Sequence, residues 1–253
     1  MLIFAAQADL DFLAQCSHWF ADGTFRVTPQ GFDQLYTLHG FSRGAVYPCV
    51  YALLPGRSEE VYRGFLDRVV QLSNGLNPVS IMTDFEMAAI RAMQRQFPTV
   101  EVTGCMFHFG QCVWRKLQSE GMAARYNAEP DFAGMVKQML ALAFVPVTDV
   151  VQTYETLTEP DEFRVLDPVI DYFEDNFVGR LRRGRRGLPR FPIELWNQYD
   201  RVITRLPRSN NAVEGWHNAF NNVVYMAHPT PIKLAQKLQV SVLTFTSILL
   251  PFY

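Results

Sequence analysis

The sequence predicts a mixed α/β fold, in which helices flank a β-sheet that contains both antiparallel and parallel strands. Three apolar runs with short polar connections lie within residues 19–54, which is the pattern of an antiparallel meander. From residue 61 the apolar residues recur at helical spacing, and short apolar runs then alternate with further helical patterns. With 253 residues, of which 49% are hydrophobic, the chain can bury a large core.

The first half of the chain is expected to supply the sheet. Strands are predicted at residues 19–27, 32–40, 46–54, 79–83 and 99–103. Helices are predicted at residues 8–15, 58–72, 84–97 and 106–117. The expected caps of the first three helices are Asp9 or Asp11, Ser58, and Thr83 or Asp84. The resulting order, β-β-β-α-β-α-β-α, is that of the RNase H-like fold, a mixed sheet of three antiparallel strands followed by parallel strands.

Residues 120–206 are expected to form an all-helical insertion in this fold. Apolar residues recur at helical spacing over 120–157 and 167–178. A last helix begins near Ser209 or Asn210, either of which is a suitable cap. We therefore predict three parts: an RNase H-like core at residues 1–119, the helical insertion at 120–206, and C-terminal helices at 207–253 that complete the catalytic core.

Two aspartates interrupt or end apolar runs in which a charged residue is not expected. Asp22 stands in the middle of an aromatic run and is followed by Gly23, so it is either a costly acid within a strand or part of an Asp-Gly hairpin turn. Asp84 ends a strand and opens a helix, where it could also serve only as a helix cap.

A third acid, Glu214, lies about one turn into the last helix, although a surface role would also explain it. The first and fourth strands are neighbours in an RNase H-like sheet, so Asp22 and Asp84 should lie close together, with Glu214 facing both. Carboxylates brought together repel one another unless cations lie between them. Their hard oxygen atoms suit two Mg²⁺ or Mn²⁺ ions, which can clamp a phosphoryl transfer. We therefore predict that these three acids are both the catalytic residues and the metal ligands.

Four segments together resemble the MULE (Mutator-like element) transposase domain. They are residues 22–25 (Asp-Gly-Thr-Phe), 83–84 (Thr-Asp), 104–108 (Gly-Cys-Met-Phe-His) and 209–217 (Ser-Asn-Asn-Ala-Val-Glu-Gly-Trp-His). The resemblance implies an RNase H-like domain with a D-D-E triad at Asp22, Asp84 and Glu214, and a helical insertion before the Glu. It also implies double-stranded DNA as substrate and a homodimer that holds two transposon ends. The zinc module that the family usually carries upstream has no counterpart in the sequence.

Cysteine and histidine residues in and just before the helix predicted at 106–117 raise the question of a metal site. The family's C-x-x-H motif matches Cys105 and His108, and Cys112 follows on the same predicted helix. A structural zinc site needs four ligands, so zinc is not expected in this chain, and Cys112 is interpreted as a small buried residue. Cys105, His108 and His217 are predicted to support the site. A core histidine and a solvated helix residue are the alternatives for His108 and His217, respectively.

An arginine cluster stands out against a net charge of −2. Residues 180–190 contain six Arg and no acid, which is too polar for a core. A solvated loop and a nuclear import signal are alternatives, but we predict contact with DNA phosphates, to which Arg binds in a bidentate manner. The predicted DNA-binding residues are Arg180, Arg182, Arg183, Arg185, Arg186, Arg190 and Arg208, with Arg201 and Arg205 extending the basic character.

The predicted function is metal-dependent cleavage and transfer of DNA strands at terminal inverted repeats, by the catalytic domain of a Mutator-like transposase in the nucleus. The missing zinc module and the abrupt apolar end at residues 240–253 favour a truncated chain or a remnant. One alternative is a host-adopted relative that binds DNA or regulates transcription without catalysis. The other is an RNase H-like nuclease that only hydrolyses. No apolar run is long enough to predict a membrane span.

Overall fold

A computed structural model describes residues 1–239, and the predicted apolar end at 240–253 lies outside these residues. Within the described part of the chain, six strands form one sheet in the order β1-β4-β3-β2-β5-β6. Their bounds are β1 Leu2–Phe4, β2 His18–Thr24, β3 Gln34–Ser42, β4 Ala45–Leu54, β5 Ser80–Thr83 and β6 Glu101–Gly104. The fold is therefore a mixed α/β fold with a mixed sheet, as predicted.

The predicted meander and the parallel strand beside it are confirmed. Strand β3 pairs antiparallel with both β2 and β4, and β5 pairs parallel with β2. Strand β1 was not predicted, because three residues are too few to show an alternating pattern. It pairs antiparallel with β4, with Leu2 opposite Leu53.

Two local features fix the bounds of the meander. Strand β2 ends at Thr24 rather than at Val27, because the chain turns there and the Thr28 hydroxyl donates to the Thr24 carbonyl at 2.9 Å. Pro48 lies opposite His39 at an irregularity of the β3–β4 register. A bulge is one of the few places where a strand tolerates the missing N–H of proline.

The helices follow the predicted order in the first half of the chain. Their bounds are α1 Gln7–Gln15, α2 Glu59–Leu72, α3 Met87–Gln96, α4 Met106–Ser119, α5 Ala123–Ala128, α6 Pro130–Ala141, α7 Val150–Thr158, α8 Asp167–Phe173, α9 Ile193–Trp196, α10 Tyr199–Ile203 and α11 Asn211–Val224. Residues 231–239 are also helical.

The predicted helix caps are only partly correct. Ser58 caps α2 as predicted, since its hydroxyl accepts from the Val61 N–H at 3.4 Å. Neither Asp9 nor Asp11 caps α1, which has Ala6 at its N-cap. The predicted cap of α3 at Thr83 or Asp84 is also wrong.

Glu86 occupies the N-cap position of α3, and Asp84 instead accepts a hydrogen bond from the Glu86 N–H at 3.2 Å. Asn210 does lie at the N-cap of α11, but its side chain makes no capping bond. Its amide donates instead to the carbonyl of Ala21 on β2, at 3.4 Å. Both side chains thus serve tertiary structure or a tight turn rather than a helix end.

The chain forms two compact units. The first comprises residues 1–102 together with the segment from residue 210 to the end of the described part, and the second comprises residues 103–209. In the first unit, neighbouring residues of β3 point to opposite faces of the sheet. Leu35 packs in a cluster with Trp216 and Phe220 of α11, whereas Tyr36 contacts Phe65 of α2 with ring centroids 5.8 Å apart. Helices therefore cover both faces of this sheet.

The second unit has an aromatic core. The rings of Phe109 and Trp196 are stacked with centroids 5.1 Å apart, and Phe177 packs edge-on against Phe109. Trp196 is fully buried, which confirms its interpretation as a core residue. Trp216 in the first unit is also a buried core residue, with 7% of its surface exposed.

The prediction that residues 120–206 are all-helical is wrong at one place. Two short strands, β7 Leu181–Arg182 and β8 Arg185–Arg186, form an antiparallel hairpin. The helical pattern over residues 120–157 is also divided into α5, α6 and α7 with 3-10 turns between them. Pro130 starts α6 and Pro146 precedes one of those turns, as expected for residues without an N–H. Within residues 1–239, none of the helices combines the length and apolar composition needed to cross a bilayer.

Candidate active site

Asp22 is a buried residue of strand β2. Its side chain is only about a tenth exposed, and it lies opposite Thr37 of β3 in the antiparallel pairing. Gly23 is paired in the same way with Tyr36, so the Asp-Gly pair is not a hairpin turn. A Cβ atom on Gly23 would lie 2.2 Å from Oε1 of Gln34. Glycine is therefore needed here because a buried amide packs directly against the main chain.

Asp22 and Asp84 stand at equivalent places relative to the paired residues of β2 and β5. His18 is paired with Ser80 and Phe20 with Met82, and the two acids each lie two residues beyond the second pair. The side chains of the paired residues His18 and Ser80 lie on the same face of the sheet, since Nδ1 of His18 lies 2.8 Å from the Ser80 hydroxyl. Both acidic residues therefore follow the last paired residues of β2 and β5, at the same end of the parallel pairing.

Glu214 lies in the first turn of α11, on the helix that packs against β2. Asn210 at the start of α11 bonds to the Ala21 carbonyl, and His217 approaches the Asp22 carboxylate. Glu214 precedes His217 by three residues and therefore shares its helix face. Within residues 1–239, no three His, Cys, Asp or Glu side chains are grouped closely enough to hold a metal ion. Metal binding by the three acids stays a prediction.

The match to known families coincides with the acidic pair. The family model of the MULE transposase domain matches residues 18–111, which include both Asp22 and Asp84. Residues 18–111 match the MULE transposase domain. The resemblance seen in the sequence is thereby confirmed over this segment.

One solved structure gives a weak likeness. It is the Drosophila P element transposase strand transfer complex, with 10% sequence identity and a TM-score of 0.40. The similarity covers 93% of this chain and 77% of that chain. No curated protein matches the sequence.

A chain of buried polar side chains links the Asp22 position of the MULE segment to α11. Nδ1 of His217 lies 3.4 Å from Oδ2 of Asp22, and its Nε2 lies 3.1 Å from the Thr37 hydroxyl. The same hydroxyl donates to the Asp22 backbone carbonyl at 3.1 Å and lies 2.9 Å from Nε2 of His39. The structure thus places His217 beside the predicted catalytic aspartate. Thr37 and His39, which the sequence did not indicate, complete the chain.

The donors and acceptors in this chain can be assigned. A carbonyl oxygen only accepts, so the Thr37 hydroxyl uses its one proton on the Asp22 carbonyl. Its oxygen must then accept Nε2–H bonds from both His217 and His39. Nδ1 of His217 is then the ring nitrogen that faces the Asp22 carboxylate.

His39 is the neutral side chain in this series of hydrogen-bonded residues. It is fully buried, and burial together with the neighbouring His217 ring holds its pKa well below the usual value. The rings of His39 and Trp216 meet edge-on with centroids 5.6 Å apart. An uncharged histidine fits this apolar contact, since burying an unpaired charge is costly.

A second polar network lies on the Asp84 side. The Tyr62 hydroxyl accepts from the Gln34 amide at 2.7 Å and donates to Glu86 at 2.9 Å. Burial raises the pKa of Glu86, and the Asp84 charge adds to the effect. Burial also raises the pKa of Tyr36 well above its usual value, with Tyr62, Asp84 and Asp22 contributing negative potential. Both aspartates therefore influence one buried phenol.

The C-x-x-H residues lie in the second compact unit. Cys105 is buried at the N-cap of α4, and His108 follows in its first turn. None of the four cysteines, all of which lie within residues 1–239, forms a disulfide bond. Cys112 is half-buried rather than fully buried. Burial of Tyr172, together with the nearby Cys112 thiol, raises the pKa of that phenol to about 12. A supporting role of Cys105 and His108 for the three acids stays a prediction.

The predicted DNA-binding arginines fall into two groups. Arg186 donates to Glu155 at 2.8 Å and to Glu174 at 2.8 Å, and Arg180 pairs with Asp175. The exposed arginines are Arg182, Arg183, Arg185, Arg190 and Arg208. Arg201 does not extend the basic surface, because it is buried and its Nε donates to the Pro207 carbonyl at 2.8 Å. The acids that pair with the cluster lie on other elements, which the local sequence could not show.

Proposed function

We propose that this chain is the catalytic domain of a Mutator-like DNA transposase with an RNase H-like fold. The observation that carries the proposal is the coincidence of the MULE match with two acids: residues 18–111 contain Asp22 and Asp84, and each acid lies two residues beyond the last residue pair of the β2–β5 register. Helix α11, which carries Glu214, packs against β2, and Asn210 at its start bonds to the Ala21 carbonyl. The reaction is cleavage and transfer of DNA strands at terminal inverted repeats.

The acids have the chemistry that a divalent metal site requires. Asp22, Asp84 and Glu214 offer carboxylate oxygens, the ligands that Mg²⁺ and Mn²⁺ prefer, and like charges at adjacent strand positions favour a cation between them. Two such ions, when bound, stabilise the attacking and leaving oxygens of an in-line displacement. His217 orients the Asp22 carboxylate, and Asp84 is held by the Glu86 N–H.

The exposed arginines give the second unit a surface for DNA phosphates. Arg182, Arg183 and Arg185 surround the turn of the β7–β8 hairpin, and all three are exposed. Guanidinium groups bind phosphates in a bidentate manner, with an affinity that falls as salt is raised. Nuclear localisation and a homodimer that holds two DNA ends belong to the same proposal.

A strand-transfer assay tests this function. The full chain is incubated with Mg²⁺ or Mn²⁺ and duplexes carrying the terminal inverted repeats that flank its own gene. We expect cleavage followed by joining to target DNA. Asp22→Asn, Asp84→Asn and Glu214→Gln should each remove several kcal/mol of transition-state stabilisation, which is roughly 100-fold or more in rate. Asp67→Asn, which changes an exposed acid of α2, serves as the control and should cleave normally.

Other outcomes assign the chain to another class. Hydrolysis without joining would identify an RNase H-like nuclease. Binding to the repeats without cleavage would identify a host-adopted regulator. Full cleavage by Asp22→Asn or Asp84→Asn would show that the catalytic acids have been assigned incorrectly.

A further inference from the structure

We infer that Thr37 and His39 are positioning residues that set the orientation of the Asp22 carboxylate through the His217 ring. The inference rests on the proposed function in one respect, because it takes Asp22 as a metal ligand. It adds two residues to the site that lie on β3, outside the three acids and outside the motif segments of the sequence.

The Thr37 hydroxyl holds one residue at two points. It donates to the Asp22 backbone carbonyl at 3.1 Å, which fixes the main chain across the β2–β3 pairing. It also bonds at 3.1 Å to Nε2 of His217, whose opposite nitrogen lies 3.4 Å from Oδ2 of Asp22. The Thr37 hydroxyl oxygen therefore contacts the main chain of Asp22 directly and its carboxylate through the His217 ring.

His39 fixes the Thr37 hydroxyl in turn. It bonds to that hydroxyl at 2.9 Å, is fully buried, and packs edge-on against Trp216. With both lone pairs occupied by imidazole N–H groups, the hydroxyl proton can point only to the Asp22 carbonyl. Rotation of the His217 ring would break its bond to Thr37. The orientation of the His217 ring is thereby fixed, and with it the position of the Nδ1 atom that faces Oδ2 of Asp22.

In metal sites generally, side chains that do not touch the metal form hydrogen bonds that orient the ligating side chains, and Thr37 and His39 are arranged in this way around Asp22. Groups that orient a metal-binding side chain contribute about 10–100-fold to metal affinity or activity, although they never touch the metal. Thr37→Val keeps the shape of the side chain and removes all three hydrogen bonds. Thr37→Ser keeps the hydroxyl, so it should restore what Val removes.

The experiment measures Mn²⁺ binding by electron paramagnetic resonance, and DNA cleavage, on the full chain. We expect Thr37→Val to weaken Mn²⁺ binding and lower kcat by about 10–100-fold, with the KM for DNA unchanged. Thr37→Ser should stay within about threefold of wild type. The matched control is Thr28→Val, which removes another buried hydroxyl that donates to a main-chain carbonyl, that of Thr24. It should leave both measurements unchanged.

The results separate this inference from the proposed function. Loss of cleavage in Asp22→Asn together with normal Mn²⁺ binding and cleavage in Thr37→Val would overturn the inference and leave the function standing. Equal losses in Thr28→Val and Thr37→Val would also overturn it, since the effect would then be one of stability. A wild-type chain that neither binds Mn²⁺ nor cleaves DNA, like Asp22→Asn, would overturn both. Should Thr37→Val fail to fold, His39→Leu removes only the outer bond and is expected to change the same two measurements in the same direction.

Discussion

His39 is the residue whose surroundings most clearly predict a dependence of stability on pH. Its folded pKa is lowered by burial and by His217, whereas an unfolded histidine titrates near 6.5. Below about pH 6.5 the unfolded chain therefore binds a proton that the folded chain refuses. The stabilising contribution of neutral His39 is complete above that pH and is lost as the pH falls below it.

We predict that the free energy of unfolding falls by up to about 1.4 kcal/mol per pH unit below pH 6.5 through this one group. His39→Gln, which cannot titrate, should flatten the dependence. Asp9 and Glu86 act in the opposite sense, because their folded pKa values are raised and protonation favours the folded state. The free energy of unfolding of the wild type and of His39→Gln is measured by urea unfolding between pH 5 and 7.5. The same dependence of that free energy on pH in the two proteins would contradict the prediction.

Gly23 carries a second prediction at the residue scale. Gln34, whose Oε1 lies 2.2 Å from the site of a Cβ atom, is buried and donates to the Tyr62 hydroxyl, so it cannot move freely. Gly23→Ala should lower the free energy of unfolding by about 1–3 kcal/mol, as overpacking does. Gly110→Ala is the control in α4, where no atom lies within 4 Å, and helix propensity should make it neutral or stabilising by up to about 1 kcal/mol. Chemical denaturation measures both.

Among the elements, the arginine hairpin combines two roles. Arg183 and Gly184 form its two-residue turn with φ values of 50° and 75°, which suits a tight hairpin. Arg186 is turned inward against Glu155 and Glu174, whereas Arg185 beside it is exposed. Alternation along a strand thus assigns neighbouring arginines to the protein and to the solvent.

The hairpin predicts different costs for neighbouring substitutions. Arg186→Met leaves two acids without their cation and should destabilise the protein by about 1–3 kcal/mol, less than a fully buried pair because Glu155 is partly exposed. Arg185→Met should change stability by less than about 0.5 kcal/mol, as an exposed substitution normally does. Thermal unfolding measures the melting temperatures of the two variants. Equal values would contradict the structural role of Arg186 and the solvent-facing role of Arg185.

The elements themselves differed in how far the sequence could predict them. Strands β2 to β5 were predictable because their apolar runs are long and bounded by turns. The β7–β8 hairpin was not, since arginine and glycine show no alternation of apolar and polar residues. The capping errors have a different origin: Asp84 and Asn210 have side chains suited to capping, but each bonds elsewhere. For Asn210 the other partner is a tertiary contact, whereas for Asp84 it is the main chain of the tight turn that precedes α3.

At the scale of the whole molecule, the charge distribution matters more than the total. The net charge is −2, yet six arginines lie within residues 180–190. Each phosphate that a protein neutralises on duplex DNA contributes about −0.9 to the slope of log affinity against log salt. Replacing Arg182, Arg183 and Arg185 by Ala should therefore reduce the magnitude of that slope by about 2–3.

A charge-matched control distinguishes a local surface from a general effect of charge. Arg63, Arg68 and Arg91 are exposed residues of α2 and α3, and their joint replacement by Ala removes the same charge. Fluorescence anisotropy with duplex DNA at several salt concentrations should show an unchanged slope for this control. Equal changes in the two triple variants would show that the hairpin is not a specific DNA surface.

The candidate site was predictable where it depends on strand ends and not where it depends on distant partners. Asp22 and Asp84 were found because both interrupt or end apolar runs, and the predicted sheet made those strands neighbours. The Thr37 hydroxyl bonds to a ring 180 residues further along the chain. No local pattern connects these residues, because the contact depends on how α11 packs on the finished sheet.

The first compact unit is made of two separated stretches of sequence, residues 1–102 and the segment from residue 210. Synthesis proceeds from the N-terminus at roughly 5–20 residues per second, and earlier segments fold first. Asp22 and Asp84 are thus made well before Glu214 and His217 leave the ribosome. During translation, the two aspartates therefore exist for some seconds without the helix that packs against β2.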